Sequence, residues 1–301
     1  MYQAIEPDAE SSSLFVNLLP APVHSFLQNY GGDPGVIILG AIENKALLGA
    51  LSARRNWREP TDCDIECLLV VSPGSDDSGV ERFLLEMGEA RIKARGFRRL
   101  QFAIKVPRRY HGENSLLTLL EREGWDRPRL QWTRFYSKGT RVRQEKWYRL
   151  EIPEGYDLFP WSQLTVAERD QLAVRAACAE DARYLDPLVV ENFDGSTSLG
   201  VRKRSDGSVV GWMITEPVSP ALLCFRRLYI MPGERTHGLF YPLLANSVEL
   251  MLEQGWSGTF TVESDNEKMC EVLIRMLGRH CLAILDCFYC SKRLVLDAEA
   301  C

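Results

Sequence analysis

The two halves of this 301-residue sequence carry the same pattern of turn and helix-end residues. At an offset of 159 residues a proline and three glycines coincide: Pro73 with Pro232, Gly74 with Gly233, Gly79 with Gly238 and Gly96 with Gly255. Few other residue types fit such positions, so these coincidences indicate that one structural unit has been duplicated. The offset becomes 162 upstream and 154 downstream, as insertions in loops would produce. The sequence therefore predicts two modules, residues 1–140 and 147–301, joined by the polar stretch 138–146.

Both modules are predicted to contain the same elements, in the order β-β-β-α-β-α-β. The first two strands form a hairpin with turns at 43–45 and 205–207, and the second turn contains an Asp-Gly pair that favours tight hairpins. The third strand leads through a Pro-Gly turn into a helix with one apolar stripe, predicted over 79–95 and 238–254. The third strand is predicted over 65–71 and 222–230. A further strand, a short helix over 115–122 and 267–277, and a last strand complete each module. The predicted fold class is α/β, with a mixed sheet in each of two tandem domains.

The charge balance gives little support for nucleic-acid binding. Lys and Arg number 36 against 41 Asp and Glu, a formal net charge of −5, and the basic clusters are short. No apolar run reaches the roughly 18 residues that span a bilayer, and residues 1–13 are acidic and Ser-rich, unlike a signal peptide. Nine scattered Cys are typical of reduced thiols. We therefore expect a cytoplasmic protein, monomeric or homodimeric, with no nucleic-acid or membrane partner.

Two pairs of cysteines are spaced like metal ligands. Cys63 and Cys67 lie in one predicted strand, and Cys287 and Cys290 lie in another. Residues four apart in a strand share a face but stand roughly 13 Å from each other, and residues three apart point to opposite faces. Neither pair suits a tetrahedral zinc ion. The four His are isolated in the sequence, so we expect no metal site.

The strand, turn and helix of each module predict an anion site. A strand that turns through Pro and Gly directly into a helix places backbone N–H groups at the helix N-terminus, where the helix dipole adds a positive potential. Phosphate is the natural occupant of such a site. In the first module Asp76, Asp77 and Ser78 stand at this position, where they would serve equally as helix-capping residues.

These elements resemble the GCN5-related N-acetyltransferase (GNAT) superfamily, whose phosphate loop reads Arg/Gln-x-x-Gly-x-Gly/Ala. In the second module this loop aligns on Arg235-x-x-Gly238-x-Phe240. The family's Asn after the next strand aligns on Asn266, which would also suit a helix cap. The resemblance covers nearly the whole chain twice, and it implies two tandem GNAT-like acyl-CoA N-acyltransferase domains.

The resemblance also implies that acetyl-CoA, or another acyl-CoA, lies in a splay between two strands, with its pyrophosphate on the loop amides. In the first module the loop aligns on Asp76-x-x-Gly79-x-Glu81 and the Asn on Asn114, so acidic groups would stand at the pyrophosphate. Arg235 in the second module offers a positive partner instead. The second module is therefore the expected donor site. Its implied cofactor-binding residues are Leu228, Tyr229, Ile230, Arg235, Thr236, His237, Gly238, Leu239, Phe240 and Asn266.

Acyl transfer to an amine calls for a base and an acid. An amine of pKa about 10 must lose a proton before it attacks a thioester, and the departing thiolate, of pKa about 8.5, takes one up. The tyrosine that many family members use as the acid is replaced by Leu120 and Ile274. The catalytic candidates are Glu263, as the base at the end of its strand, together with Tyr241 and Tyr289.

Two functions of different classes are consistent with the resemblance. The first is an N-acyltransferase whose second module passes an acyl group, in the simplest case acetyl, to the amine of a small molecule or peptide. The second is a catalytically inactive protein of this fold that acts as a CoA-responsive or partner-binding module, which the missing tyrosine and Phe240 favour. Aminoacyl transfer from charged tRNA is a third possibility, but the sequence has no evident basic tract. Trp161, Trp212 and Trp256 fit either a core or an acceptor pocket.

Overall fold

The computed structural model describes residues 2–8, 11–19, 27, 35–71, 77–109, 115–178 and 192–295. The chain divides into two compact units, residues 1–131 with 286–301, and residues 132–285. The second unit therefore begins before the predicted boundary, and the end of the last strand belongs to the first unit. Strand pairing, which sequence order does not reveal, decides this membership. Each unit has its own hydrophobic core beneath a mixed sheet, as the α/β fold class predicts.

The first unit is built on a mostly antiparallel sheet. Its described elements are β1 (Gln3–Ile5), α1 (Ser12–Leu18), β2 (Val36–Glu43), β3 (Ala46–Arg55), β4 (Asp62–Val70), α2 (Asp77–Ala94), β5 (Arg99–Pro107), α3 (Ser115–Arg122) and the part of β12 (Cys281–Arg293) from Asp286 onward. The strand order is β1-β2-β3-β4-β5-β12, with β4 and β5 parallel. The β2–β3 turn passes through Asn44 and Lys45, whose φ angles of 52° and 67° are those of a tight hairpin turn.

Helix α2 covers one face of this sheet. Val80, Leu84 and Ile92 are buried along one side of the helix, in a cluster that includes Leu39 of β2 and Leu51 of β3. Burying one such side chain fully contributes roughly 1.5–3 kcal/mol to the free energy of folding. The apolar stripe predicted from the sequence is therefore the face that holds the helix to the sheet.

The second unit repeats this arrangement. Its described elements are β6 (Arg129–Ser137) from Trp132 onward, β7 (Tyr156–Pro160), α4 (Val166–Cys178), β8 (Leu199–Lys203), β9 (Val209–Ser219), β10 (Leu222–Ile230), α5 (Phe240–Glu253), β11 (Ser257–Glu263), α6 (Glu267–Leu277) and the beginning of β12. The strand order is β6-β11-β10-β9-β8-β7, with β10 and β11 parallel. Leu243, Leu244 and Val248 of α5 are buried in the core of this unit.

The polar stretch predicted to join the modules is ordered and belongs to the second unit. It forms two short 3₁₀ helices, Thr140–Gln144 and Lys146–Arg149. Arg143 and Tyr148 both donate hydrogen bonds to the carboxylate of Glu249 on α5. These bonds tie the stretch to α5. Contacts of the Glu145 carboxylate with Arg279 and His280 also tie it to the residues that follow α6.

Two glycines show that the sequence repeat is also a structural repeat. A Cβ atom on Gly49 of β3 would lie 2.6 Å from the carbonyl oxygen of Leu69, and one on Gly211 of β9 would lie 3.0 Å from that of Tyr229. Both glycines thus permit the same close approach, between the second hairpin strand and the end of the third strand. Gly49 and Gly211 align at the upstream offset of 162 residues, and this shared contact explains their alignment.

The helix predicted over 238–254 begins later than predicted. Residues Pro232–His237 form a 3₁₀ helix, and Gly238 has a left-handed conformation, with φ 73° and ψ 18°. A left-handed residue cannot continue into an α-helix, so α5 begins at Phe240. The turn between β10 and α5 is therefore longer than a simple Pro-Gly turn.

Candidate active site

Strands β10 and β11 separate partway along their length. Their parallel pairing covers only Leu222–Phe225 with Ser257–Phe260, although β10 continues to Ile230 and β11 to Glu263. Beyond Phe225 the facing backbone groups do not pair with each other across this gap. Backbone N–H and C=O groups at such a splay are available to hydrogen-bond an extended ligand that enters between the strands.

A β-bulge lies where this separation begins. Phe225 pairs with Thr215 of β9 and Arg227 pairs with Ile214, so Arg226 is an extra residue on β10. Its guanidinium forms an ion pair of 2.9 Å with Glu216. A bulge bends its strand and strengthens the local twist, which accounts for the divergence of β10 from β11.

The splay leads to a helix N-terminus whose N-cap residue makes no side-chain capping bond. Leu239 occupies the N-cap position of α5, and its buried hydrocarbon side chain has no atom that could accept a hydrogen bond from the first amides of the helix. The first four N–H groups of a helix have no intrahelical acceptor, and the helix dipole makes this end positive. The exposed, left-handed Gly238 immediately before it leaves space for a ligand to approach. This turn is suited to binding an anion.

The side chains of the predicted phosphate loop lie in different environments. Arg235 is exposed, its Nε donates a 3.1 Å hydrogen bond to the carbonyl oxygen of Ile230, and its guanidinium lies 5.5 Å from the ring centroid of Tyr229. Thr236 and His237 are also exposed. The half-buried ring of Phe240 meets the ring of its neighbour Tyr241 edge-on, with centroids 5.2 Å apart. The loop therefore exposes its backbone, the guanidinium of Arg235 and the imidazole of His237 near the end of β10.

Strand β10 presents two different faces at this end. Leu228 and Ile230 pack with the core beneath α5, whereas Tyr229 packs with the aromatic cluster on the opposite face. The three residues were predicted to contact the cofactor, and the structure brings their backbone together with the loop at one end of the splay.

The remaining candidates of the second unit are dispersed around the splay. Glu263 is exposed at the end of β11, and Tyr241 stands in the first turn of α5 with its ring 6.2 Å from that of Trp147. Asn266 caps α6, since its side chain accepts a 3.2 Å hydrogen bond from the backbone of Met269. This bond is the capping role that the sequence left open for Asn266.

Tyr289 lies outside this unit. It stands on the part of β12 that belongs to the first unit. Burial raises the pKa of its hydroxyl, the charges of Asp64 and Asp62 add to the increase, and Arg99 opposes it. The role of Tyr289 in the second module's cleft stays a prediction, and its place in the first unit was not part of that prediction.

An aromatic row crosses the four outer strands of the second unit. The register aligns Phe159 with Gly200, Gly200 with Trp212, and Trp212 with Tyr229. Gly200 is required here because a Cβ would lie 2.3 Å from the ring of Phe159. Trp161 and Trp212 are almost fully buried in this cluster, which is a core role, and Trp256 is half-buried against the core beneath α5.

Glu234, an acidic residue of the loop, was not among the site residues predicted from the sequence. Glu234 accepts hydrogen bonds from Lys203 of β8, at 2.8 Å, and from the hydroxyl of Tyr156 of β7, and it lies 3.2 Å from Nδ1 of His237. Lys203 and Tyr156 hold the pKa of Glu234 below its ordinary value. Glu234 stands just before Arg235, the first position of the family motif, and its partners are distant in sequence, so no local pattern could have identified this group.

The first unit contains the same splay with different charges. Its parallel pairing covers Asp62–Ile65 with Arg99–Phe102, and Glu66 is the extra residue of a bulge on β4. Burial raises the pKa of Glu66 despite an ion pair of 2.5 Å with Arg54. The predicted loop residue Asp76 and the predicted Asn114 lie outside the described residues, as do the side chains of Asp77 and Ser78.

Neither a metal centre nor a membrane-spanning helix is found in the part of the chain that the structure describes. No three His, Cys, Asp or Glu side chains there are grouped so as to hold a metal ion. None of the helices there is both long and apolar enough to cross a membrane.

Comparison with solved structures identifies the fold. A tandem GNAT protein from the clavulanic acid biosynthesis pathway is 15% identical, with a TM-score of 0.53 over 97% of this chain and 98% of that one. A GCN5-related N-acetyltransferase from Sphaerobacter thermophilus is also 15% identical, with a TM-score of 0.56 over 97% and 95%. No family model matches the sequence, and no curated protein is significantly similar to it. The chain has a tandem GNAT-like fold, and identities this low establish the fold alone.

Proposed function

We propose that the second unit is an acyl-CoA-dependent N-acyltransferase that passes an acyl group, in the simplest case acetyl, to the amine of a small molecule or peptide. One observation carries the proposal: the splay of β10 and β11 leads to the uncapped N-terminus of α5. An extended ligand with a diphosphate at one end fits such a path, and acyl-CoA has this form. The GNAT-like fold of the chain supports the same ligand.

The loop and β10 would hold the donor through backbone groups. The amides at the start of α5 would bind the diphosphate, with Arg235 as a cationic partner. The backbone of β10 beyond the bulge would hydrogen-bond the amide groups of the pantetheine arm. An N–H of the same segment would polarise the thioester carbonyl, whose oxygen gains negative charge during attack. The roles of the backbone groups need no particular side chain, so Phe240 in place of a small residue is compatible with them.

Proton transfer would fall to side chains at the end of the splay. We assign the base to Glu263, which is exposed at the end of β11 and can take the proton of an incoming ammonium directly or through water. We assign the acid to Tyr241, which directly follows the loop in sequence. Its hydroxyl would donate a proton to the departing thiolate. Acyl-CoA supplies the activated carbonyl carbon that the amine attacks.

Calorimetric titration with acetyl-CoA, and with a longer acyl-CoA, tests the donor site. We expect saturable binding near one equivalent, and binding weaker by at least about tenfold in Arg235→Glu, because a charge-assisted contact becomes a repulsion. Arg169→Glu makes the same charge change on the exposed surface of α4 and should leave binding unaltered. If no acyl-CoA binds, the proposal is wrong.

A CoA-responsive or partner-binding module without turnover is the second candidate. Ile274, which stands where many GNAT enzymes have a catalytic tyrosine, packs against the core of the second unit and offers no proton. Release of CoA thiol in a screen of amine acceptors separates the two candidates. Tight binding of acyl-CoA without thiol release from any acceptor would favour the module, and acceptor-dependent release would favour the enzyme.

A further inference from the structure

Four side chains form a cluster where the loop meets the outer strands of the second unit. This loop cluster consists of Tyr156, Lys203, Glu234 and His237. Nζ of Lys203 lies 2.8 Å from one carboxylate oxygen of Glu234, and the other oxygen accepts from Tyr156 and lies 3.2 Å from Nδ1 of His237. The rings of Tyr156 and His237 are in contact, with centroids 5.9 Å apart. Glu234 thus connects the loop to β7 and β8, and neither strand is adjacent to the loop in sequence.

The cluster is shielded from solvent at its centre. The Glu234 side chain is 13% exposed and Tyr156 is 6% exposed, whereas the Lys203 and His237 side chains at the rim are 36% and 48% exposed. Ion pairs that are open to water contribute little to stability, but a carboxylate with several donors below the surface fixes geometry more firmly. Glu234 is therefore placed to hold the 3₁₀ helix Pro232–His237 against the sheet edge.

The charge of Glu234 is unfavourable for an anion site. A carboxylate four residues before Gly238 repels a diphosphate at the start of α5, and water screens this repulsion only in part. Lys203 offsets the negative charge at hydrogen-bond distance. On charge alone, the loop would bind anions more tightly without Glu234. A favourable contribution of Glu234 to anion binding therefore has to come from the geometry that it gives the loop.

We infer that Glu234 is a positioning residue of the donor site, which holds the loop so that the backbone amides from Gly238 to Phe240 converge on the diphosphate of acyl-CoA. This inference rests on the proposed function and adds to it a residue outside the family motif. Preorganisation of this kind improves affinity by reducing the ordering cost of binding. It concerns the diphosphate end of the donor, so a thioester without a diphosphate should not depend on it.

The test compares two donors in Glu234→Gln. Acetyl-CoA should bind about tenfold more weakly, with a higher KM and an unaltered kcat, because the loop loses its charged anchor. Glu234→Gln should use S-acetylpantetheine, which lacks the diphosphate, as efficiently as the unaltered protein does. Electrostatics alone predicts the opposite sign, namely tighter binding of acetyl-CoA. Tighter or unchanged binding in Glu234→Gln overturns the inference, as does an equal loss for both donors.

A matched control is available on the same sheet edge. Asp157 of β7 pairs with Arg204, with contacts of 2.7–3.0 Å, and both side chains are more than half exposed. Asp157→Asn removes a carboxylate of this edge without touching the loop cluster, and it should leave acetyl-CoA binding unaltered. Tyr156→Phe and Lys203→Met remove single partners of Glu234 and should each weaken binding, which keeps the test decisive if Glu234→Gln fails to fold.

Hydrogen exchange of backbone amides provides a readout that needs no bound acyl-CoA. The amides of Met231 and Glu234, which donate hydrogen bonds to the carbonyl oxygens of Val210 and Met231, should exchange faster in Glu234→Gln than in the unaltered protein or in Asp157→Asn. Unaltered exchange overturns the inference. Absence of acyl-CoA binding by the unaltered protein overturns the proposed function, whereas binding that is insensitive to Glu234→Gln overturns this inference alone.

Discussion

Arg226 and Glu66 occupy the same position in the two units, with opposite charge. Each is the extra residue of the bulge on the third strand, at the point where parallel pairing ends. Each also pairs with a residue of the neighbouring strand, Arg226 with Glu216 at 2.9 Å and Glu66 with Arg54 at 2.5 Å. The duplicated bulge therefore has an ion pair in both units, and its extra residue carries a charge of opposite sign in the two.

Reversal of one charge at a bulge should destabilise the protein, and reversal of both should not. Arg226→Glu places a second carboxylate beside Glu216, and we expect it to lower the free energy of unfolding by roughly 0.5–1 kcal/mol. The double variant Arg226→Glu with Glu216→Arg recreates the arrangement of the first unit and should recover most of the loss. A double-mutant cycle from urea denaturation measures this coupling. Additive effects would show that the pair does not interact.

Gly211→Ala should destabilise the second unit. The new Cβ would lie 2.6 Å from Cδ1 of Ile230 and 3.0 Å from the carbonyl oxygen of Tyr229, so the end of β10 has to move. Overpacking of this kind costs typically 1–3 kcal/mol, which denaturation curves resolve readily. Gly233→Ala is the control, because its Cβ would meet nothing within 4 Å and its φ is not positive. Equal stability of the two variants would contradict the close approach at Gly211.

The stability contributed by Glu168 should disappear in acid. Hydrogen bonds from Arg202 lower the pKa of Glu168 from 4.5 to about 2, helped by the backbone and hydroxyl of Thr165 at the start of α4. A lowered folded-state pKa gives stability that is present above the unfolded pKa and is lost as the pH falls through the folded one. The difference in unfolding free energy between the unaltered protein and Glu168→Gln should be constant near pH 6–7. It should shrink between pH 4.5 and about 2.

Two cysteines of the first unit should resist alkylation until the protein unfolds. Burial raises the pKa of Cys63 to about 12 and that of Cys290 to about 12, and nearby acidic groups add to both increases. The thiolate is the reactive form, so iodoacetamide at pH 8 should leave both unmodified in the native protein. Peptide mapping by mass spectrometry, with and without denaturant, checks this. Labelling of Cys63 under native conditions would show that β4 opens locally.

The two predicted phosphate loops should respond differently to substitution. Arg235→Glu is expected to weaken CoA binding, since it reverses the charge beside the α5 N-terminus, whereas Asp76→Ala should leave it unchanged. Both variants can be titrated with acetyl-CoA under one set of conditions. Equal loss in both would reverse our assignment of the donor site to the second unit.

Local sequence patterns determine most of the individual elements. The bounds of α3, α6 and β10 agree with those predicted, because each rests on short-range apolar spacing and a clear turn or cap. The loop before α5 was harder to predict, since a 3₁₀ helix and the left-handed Gly238 share the glycine and proline signals of a simple turn. The sequence alone allows Asn266 to cap a helix or to bind the cofactor, and the structure shows the cap through its bond to Met269.

Long-range pairing accounts for what the sequence could not predict. Glu234 receives bonds from residues 31 and 78 positions away, and no pattern in the loop itself indicates either partner. The membership of Tyr289 in the first unit could not be predicted for the same reason, since the alternation of β12 is the same whichever sheet it joins. Register between distant strands also creates the aromatic row across Gly200.

The division of β12 affects the order in which the chain can fold during synthesis. Residues 286–293 complete the sheet of the first unit beside β5, where Asp286 pairs with Arg108 at 3.4 Å and the Cys290 thiol contacts the carbonyl of Phe102. These residues leave the ribosome after the whole of the second unit. The unit translated first is therefore the last to have all its strands, and a nascent chain stopped before residue 286 exposes an unpaired edge of β5 to chaperones and to other chains.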